Sequence, residues 1–168
     1  MSQYYDSLID GGKIKELLKV LLEKSGYTIY PYGYETTFSD VRKKLNLKTA
    51  KNSMTARRIR SSPDLLVYDD EKNDVILVEV KMRRAPTEEK ILIYAKLISA
   101  YKQFWGDSIL IVVVPCGHVF YAQRVNELGA KESYNAIRDF QNLEDVFCKV
   151  TKEDIAHFRK QALQIMEK

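Results

Sequence analysis

The chain has 168 residues and a formal net charge of +4, with 45% hydrophobic and 30% charged residues, which fits one globular domain with a sizeable core. Residues 1 to 10 lack a basic n-region and an apolar core, and the longest apolar run, Ile109 to Cys116, is too short to span a bilayer. An intracellular, soluble, cytoplasmic protein is therefore expected, with no membrane partner. Cys116 and Cys148 lie in apolar sequence and read as core residues rather than a disulfide or metal pair, and two thiols exclude a four-cysteine iron–sulfur site.

In chain order, Ile14, Leu17, Leu18, Leu21 and Leu22 recur at helical spacing and predict an amphipathic helix that Gly26 ends. Tyr27 to Tyr30 reads as a first strand, which Pro31 restricts to an edge or an end. Ser39-Asp40 caps a short basic helix through Leu47, and Lys48 to Ser62 reads as a mobile loop that orders on substrate. Two apolar runs follow, Leu65 to Tyr68 and Val75 to Val78, joined by the polar segment Asp69 to Asp74, which predicts a β-hairpin. Thr87 then caps a helix through about Trp105, with Glu88 and Glu89 against its dipole and an apolar stripe of Ile91, Tyr94, Ala95, Ile98, Tyr101 and Trp105. Ser108 to Val114 is a strand rich in Ile, Leu and Val, reached by a parallel crossover, and Val119 to Ala122 is a last short strand. The C-terminal third reads as helical. The whole is one domain over residues 1–168, with a core of about 10–125 and a helical extension of about 126–168.

The chemistry sits on the hairpin. Side chains alternate along a strand, so Glu79 and Lys81 share a face about 6.6 Å apart at ~3.3 Å per residue, while Val80 points the other way. Asp64, at the entry of the first strand, lies near the end of the second and so near Glu79. Two converging carboxylates repel unless a cation sits between them, and a few hard oxygen ligands suit Mg²⁺, with Mn²⁺ as substitute. Such a partial site takes further ligands from water and phosphate oxygens. The metal would lower the pKa of an attacking water, and Lys81 would position it or stabilise the transition state. The implied reaction is phosphodiester hydrolysis.

Pro63-Asp64 and Glu79-Val80-Lys81 resemble the PD and (D/E)XK elements of the PD-(D/E)XK nuclease superfamily, which includes restriction enzymes, archaeal Holliday-junction resolvases and RecB-like nucleases. The resemblance implies an α/β fold with a restriction-endonuclease-like αβββαβ core, a mixed central sheet flanked by helices. It also implies metal ligation by Asp64, Glu79 and the Val80 backbone, and catalytic roles for Asp64, Glu79 and Lys81. Members commonly add an acid from the first helix. Glu16 is the candidate by position, but at 100° per residue it stands about 200° from Ile14, whereas Asp10 stands about 40° away. Both stay open.

Taken singly, Asp after Pro is ordinary turn chemistry and alternating Glu and Lys an ordinary cross-strand pair. Order, hairpin, apolar flanks and a basic neighbour together point to a site. That neighbour is residues 41 to 62, where Arg42, Lys43, Lys44, Lys48, Lys51, Arg57, Arg58 and Arg60 stand with no acid, giving +8; residues 63 to 80 carry −5. A cationic segment beside a carboxylate pair suits a polyanion, and DNA is the expected partner.

Tyr101-Lys102-Gln103 stands roughly where RecB-like nucleases carry a Gln and a Tyr that steady the site, but the spacing is not theirs; Gln103 reads as surface, and Lys102 either snorkels past the core or reaches phosphates. His118 and His157 read as structural, and Tyr27, Tyr30, Tyr32 and Tyr34 as aromatic packing. The expected activity is that of an Mg²⁺-dependent deoxyribonuclease, an endonuclease on structured or branched DNA, with a homodimer as the analogous assembly. The alternatives are a RecB-like exonuclease, a non-cleaving nucleic-acid-binding module and a scaffold protein.

Overall fold

The computed structural model describes residues 2–34, 53–85, 87–88, 92–129 and 134–167. Helix α1 (Ser2–Lys24) buries Ile14, Leu17, Leu18, Leu21 and Leu22, as the spacing predicts. Each contributes on the order of 2 kcal/mol relative to exposure. The helix closes in a Schellman motif: Gly26, at φ +89°, donates its N–H to Glu23 O, and Tyr27 donates to Leu22 O. A residue with a Cβ would resist that left-handed conformation.

Strand β1 (Thr28–Pro31) forms the edge of a six-stranded sheet, where the missing N–H of Pro31 does no harm. Helix α2 (Met54–Arg60) follows, and it corrects the loop expected from Lys48 to Ser62 over its described part; residues 48 to 52 lie outside the described residues. The Ser53 side chain accepts from Ala56 N at 3.0 Å as an N-cap, and Ala56 is buried. The predicted basic helix from Ser39 to Leu47 lies outside the described residues.

Strands β2 (Leu65–Asp69) and β3 (Asp74–Met82) make the predicted hairpin, with Leu65 opposite Val78 and Asp69 opposite Asp74. Its turn is held from outside by Lys149, whose ammonium lies 2.6 Å from the buried Asp69 carboxylate. The long helix predicted from Thr87 is shorter. Leu92–Tyr94 is extended as β4, and helix α3 runs only over Ala95–Phe104. Leu-Ile-Tyr suits a strand, and pairing with β7 (Tyr134–Ala136) in a separate two-stranded sheet decides it. Glu88 is no dipole partner here: its carboxylate accepts from the Tyr121 hydroxyl.

Strand β5 (Ile109–Val113) runs parallel to β3, as predicted, and β6 (Phe120–Arg124) returns antiparallel beside it. Strand β8 (Gln141–Asn142) completes the order β1-β2-β3-β5-β6-β8. The fold is thus mixed α/β, a mixed sheet between helices, and with α2 and β4 as insertions α1-β1-β2-β3-α3-β5 follows the expected αβββαβ order. Short helix α4 (Leu143–Val146) and helix α5 (Lys152–Met166) follow, so the C-terminal third is helical only in part; β7 and β8 lie within it.

Alternation on β5 divides the core. Ile109, Ile111 and Val113 join α1 and α5 on one face, while Leu110 and Val112 pack with Ile98 of α3 on the other. Burial on both faces explains the unbroken apolar run. Cys148, expected in the core, is exposed, because it sits in the short connection from α4 to α5; Cys116 is half-buried. No described helix is long and apolar enough to cross a membrane.

Candidate active site

The open end of the β2–β3 hairpin faces a cavity of about 340 Å³. Asp64 enters β2 with its carbonyl accepting from Tyr32 N and Gly33 N at 2.9 and 3.2 Å, which ties the exit of β1 to the motif. Its carboxylate crosses to β3, where Oδ2 accepts from Val80 N at 2.9 Å. Its other oxygen, Oδ1, lies 2.5 Å from Lys15 Nζ of α1.

Glu79 is 2% exposed. Its Oε1 accepts from Tyr101 Oη at 2.7 Å and from the Lys81 ammonium, which also stands 5.7 Å over the Tyr101 ring. Val80 turns to the opposite face and joins the core, as strand alternation requires. Burial holds the Glu79 carboxyl above the ordinary carboxylate range; the Lys81 ammonium opposes this, and the Asp64 charge adds to it. Burial and the neighbouring Glu79 likewise push the Tyr101 phenol up. Tyr101 therefore stays a neutral donor.

The structure brings Asp64, Glu79 and Lys81 together at the cavity, with Glu16, Lys19 and Arg60 also lining it. Asp10 does not line it. It is buried elsewhere, 2.6 Å from Arg84 Nη2 and 3.3 Å from Lys13 Nζ, and Arg84 foremost holds its carboxyl below the ordinary range. Facing the apolar stripe took Asp10 into the interior, whereas the cavity opens beside the helix, on Glu16.

Of the basic block, Arg57, Arg58 and Arg60 stand on α2, and Arg42, Lys43, Lys44, Lys48 and Lys51 lie outside the described residues. Arg60 and Tyr101 also line an adjoining cavity of about 290 Å³, shared with Arg57. Arg58 is otherwise engaged, its guanidinium 5.2 Å over the Trp105 ring. Lys102 gives its ammonium to Leu128 O, and Gln103 is exposed, accepting from Arg57 at 3.4 Å. His118 and His157 are exposed and away from the cavity. Among the tyrosines, Tyr27 packs on Phe147, Tyr32 on Trp105, Tyr30 is exposed and Tyr34 lines the cavity.

Of the residues in the cavity, the sequence did not mark Lys15, and it set Tyr101 aside because its spacing from the motif departs from that of RecB-like nucleases, although Tyr101 does bond Glu79. Lys15 stands about 100° from Ile14, just past Leu22 at about 80°, so it flanks the stripe and leans over the sheet's end. Tyr101 belongs to the apolar stripe of α3, and the signal was its hydroxyl, which must find a partner when buried.

Among the described residues no three His, Cys, Asp or Glu gather as a metal cluster. The donor set at the hairpin is two carboxylates, and hard oxygens in that number fit a hydrated Mg²⁺ that completes its shell with water and phosphate.

No family model matches the chain, and no curated protein does. Among solved structures, Hjc of Archaeoglobus fulgidus, a Holliday junction resolvase from an archaeal hyperthermophile, is similar at a TM-score of 0.49 and 14% identity, over 83% of this chain and 99% of that one. A likeness at that level bears on neither residues nor chemistry.

Proposed function

We propose that the chain is an Mg²⁺-dependent nuclease that hydrolyses phosphodiester bonds in DNA, acting as an endonuclease on structured or branched substrates. One observation carries the reading: Asp64 and Glu79 meet at the hairpin's open end beside the Lys81 ammonium, in a cavity rimmed by Lys15, Lys19 and Arg60.

Asp64 and Glu79, with the Val80 carbonyl, would hold the cation, and Glu16 is the additional acid within the same cavity. The bound metal would supply Lewis-acid polarisation of the scissile phosphate and a lowered pKa for the attacking water. Lys81 orients that water or meets charge developing on the phosphate. Tyr101 fixes the Glu79 carboxylate by its hydrogen bond, and Val80 N–H fixes that of Asp64. Arg57 and Arg60, with the basic residues 42 to 51, neutralise flanking phosphates and position the strand without reading its sequence. That mode of binding favours recognition of backbone shape. Residues 1–168 act as one nuclease unit, and a two-fold dimer would present two such sites to two strands.

A panel of linear, nicked, flap and four-way DNA substrates with Mg²⁺ tests this. Internal cuts that vanish in Asp64→Asn and Glu79→Gln support the reading. Stepwise release from ends would favour the exonuclease, and an inert wild type that still binds DNA would favour the binding module.

A further inference from the structure

Two carboxylates of the cavity are each held by a lysine ammonium, Glu79 by Lys81 and Asp64 by Lys15. The two lysines differ in setting. Lys81 is two residues from Glu79 on the same strand, so the pleat fixes their proximity. Lys15 arrives from α1, a different element, on a flexible four-carbon stem whose side chain is 39% exposed against 14% for Asp64. An ammonium on such a stem changes partners at little cost. It also supplies one positive charge where a divalent cation would supply two.

We propose that Lys15 is an exchangeable counter-ion for Asp64. Without a divalent cation it holds the carboxylate beside Val80 N–H. When one binds, Lys15 gives up Oδ1 and turns its ammonium to a phosphate oxygen of the nucleic-acid strand in the same cavity. No covalent bond changes. Asp64 trades one cationic partner for another, and the released charge passes to the substrate. Lys19, one turn along α1 and also lining the cavity, adds a second cation on the same side. Lys15 therefore holds Asp64 in place before the metal arrives and binds substrate afterwards, and this rests on the reading of Asp64 and Glu79 as metal ligands.

The test is a titration of Mn²⁺ into the full chain without nucleic acid, with free Mn²⁺ followed by electron paramagnetic resonance, for wild type, Lys15→Met and Lys15→Gln. Removing the competing ammonium should tighten Mn²⁺ binding roughly fivefold, the worth of a part-exposed ion pair. With Mn²⁺ present, binding of a cleavage-resistant phosphorothioate duplex should weaken, and its salt slope should fall by about one. In wild type, the Lys15 side-chain amine signal in lysine-selective NMR should move on saturation with Mg²⁺, a readout that needs no variant. Unchanged or weaker Mn²⁺ binding by the folded variants, or an unmoved Lys15 signal in a wild type that binds metal, overturns the exchange alone. A wild type that binds no Mn²⁺ overturns the metal reading of Asp64 and Glu79, and the exchange with it.

Discussion

The Tyr101 hydroxyl donates to Glu79 Oε1 at 2.7 Å, from a helix on one face of the sheet to a carboxylate on its central strand. The bond lowers a Glu79 pKa that burial raises. Tyr101→Phe removes that help, so the Glu79 carboxyl should titrate higher still. If the reaction needs Glu79 ionised, the acid limb of the pH–rate profile moves to higher pH. The loss of one buried hydrogen bond should cost about 1 kcal/mol of stability. An unshifted limb would show that Tyr101 only packs.

Glu79 also sets a pH dependence of stability. Its folded pKa lies above the ordinary value, so the native state binds the extra proton, and the contribution is fully present below the ordinary glutamate pKa. It is lost as pH rises through the raised folded value. Glu79→Gln should therefore melt higher than wild type at neutral pH without metal, with the gap closing as pH falls through that window. Calorimetric scans across pH would show it. A Gln variant less stable at neutral pH would mean that the Lys81 pairing outweighs burial.

Asp10 and Glu16 should separate cleanly. Arg84 depresses the Asp10 pKa, so Asp10 contributes stability above the ordinary aspartate pKa that is lost as pH falls through the lower folded one. Asp10→Asn should lower the melting temperature at neutral pH and leave metal affinity unchanged. Glu16→Gln, on an exposed residue of the cavity wall, should do the reverse.

The arginines of α2 should also divide. Arg57→Ala and Arg60→Ala should weaken binding alike for all DNA sequences and reduce the salt slope by about one each. Arg58→Ala should instead lower the melting temperature, because its guanidinium covers Trp105. Filter binding at several salt concentrations and thermal melts distinguish them.

How far these residues were legible in the sequence depended on period. Alternation on β3 foretold that Glu79 and Lys81 share a face, and helical spacing foretold the buried side of α1, because each follows from local geometry alone. Asp64 meeting β3 needed only the hairpin, whose turn is short. The start of α3 did not follow from local signals. Thr87 and two glutamates make a good helix entry, yet Leu92–Tyr94 pairs with β7, some forty residues away, and tertiary pairing prevailed. Lys15 was hidden, and Tyr101 set aside on spacing, for a related reason: their partners lie on other elements, and no spacing within α1 or α3 names Asp64 or Glu79.

In the proposed function, Asp64 and Glu79 form one divalent-metal site that drives strand cleavage. The decisive assay incubates wild type, Asp64→Asn and Glu79→Gln with end-labelled four-way DNA across an Mg²⁺ titration. Cleavage should rise with Mg²⁺ in wild type and be lost in both variants, with DNA binding retained. Wild-type cleavage that persists in chelator, or cleavage by either variant, would refute a metal site at Asp64 and Glu79.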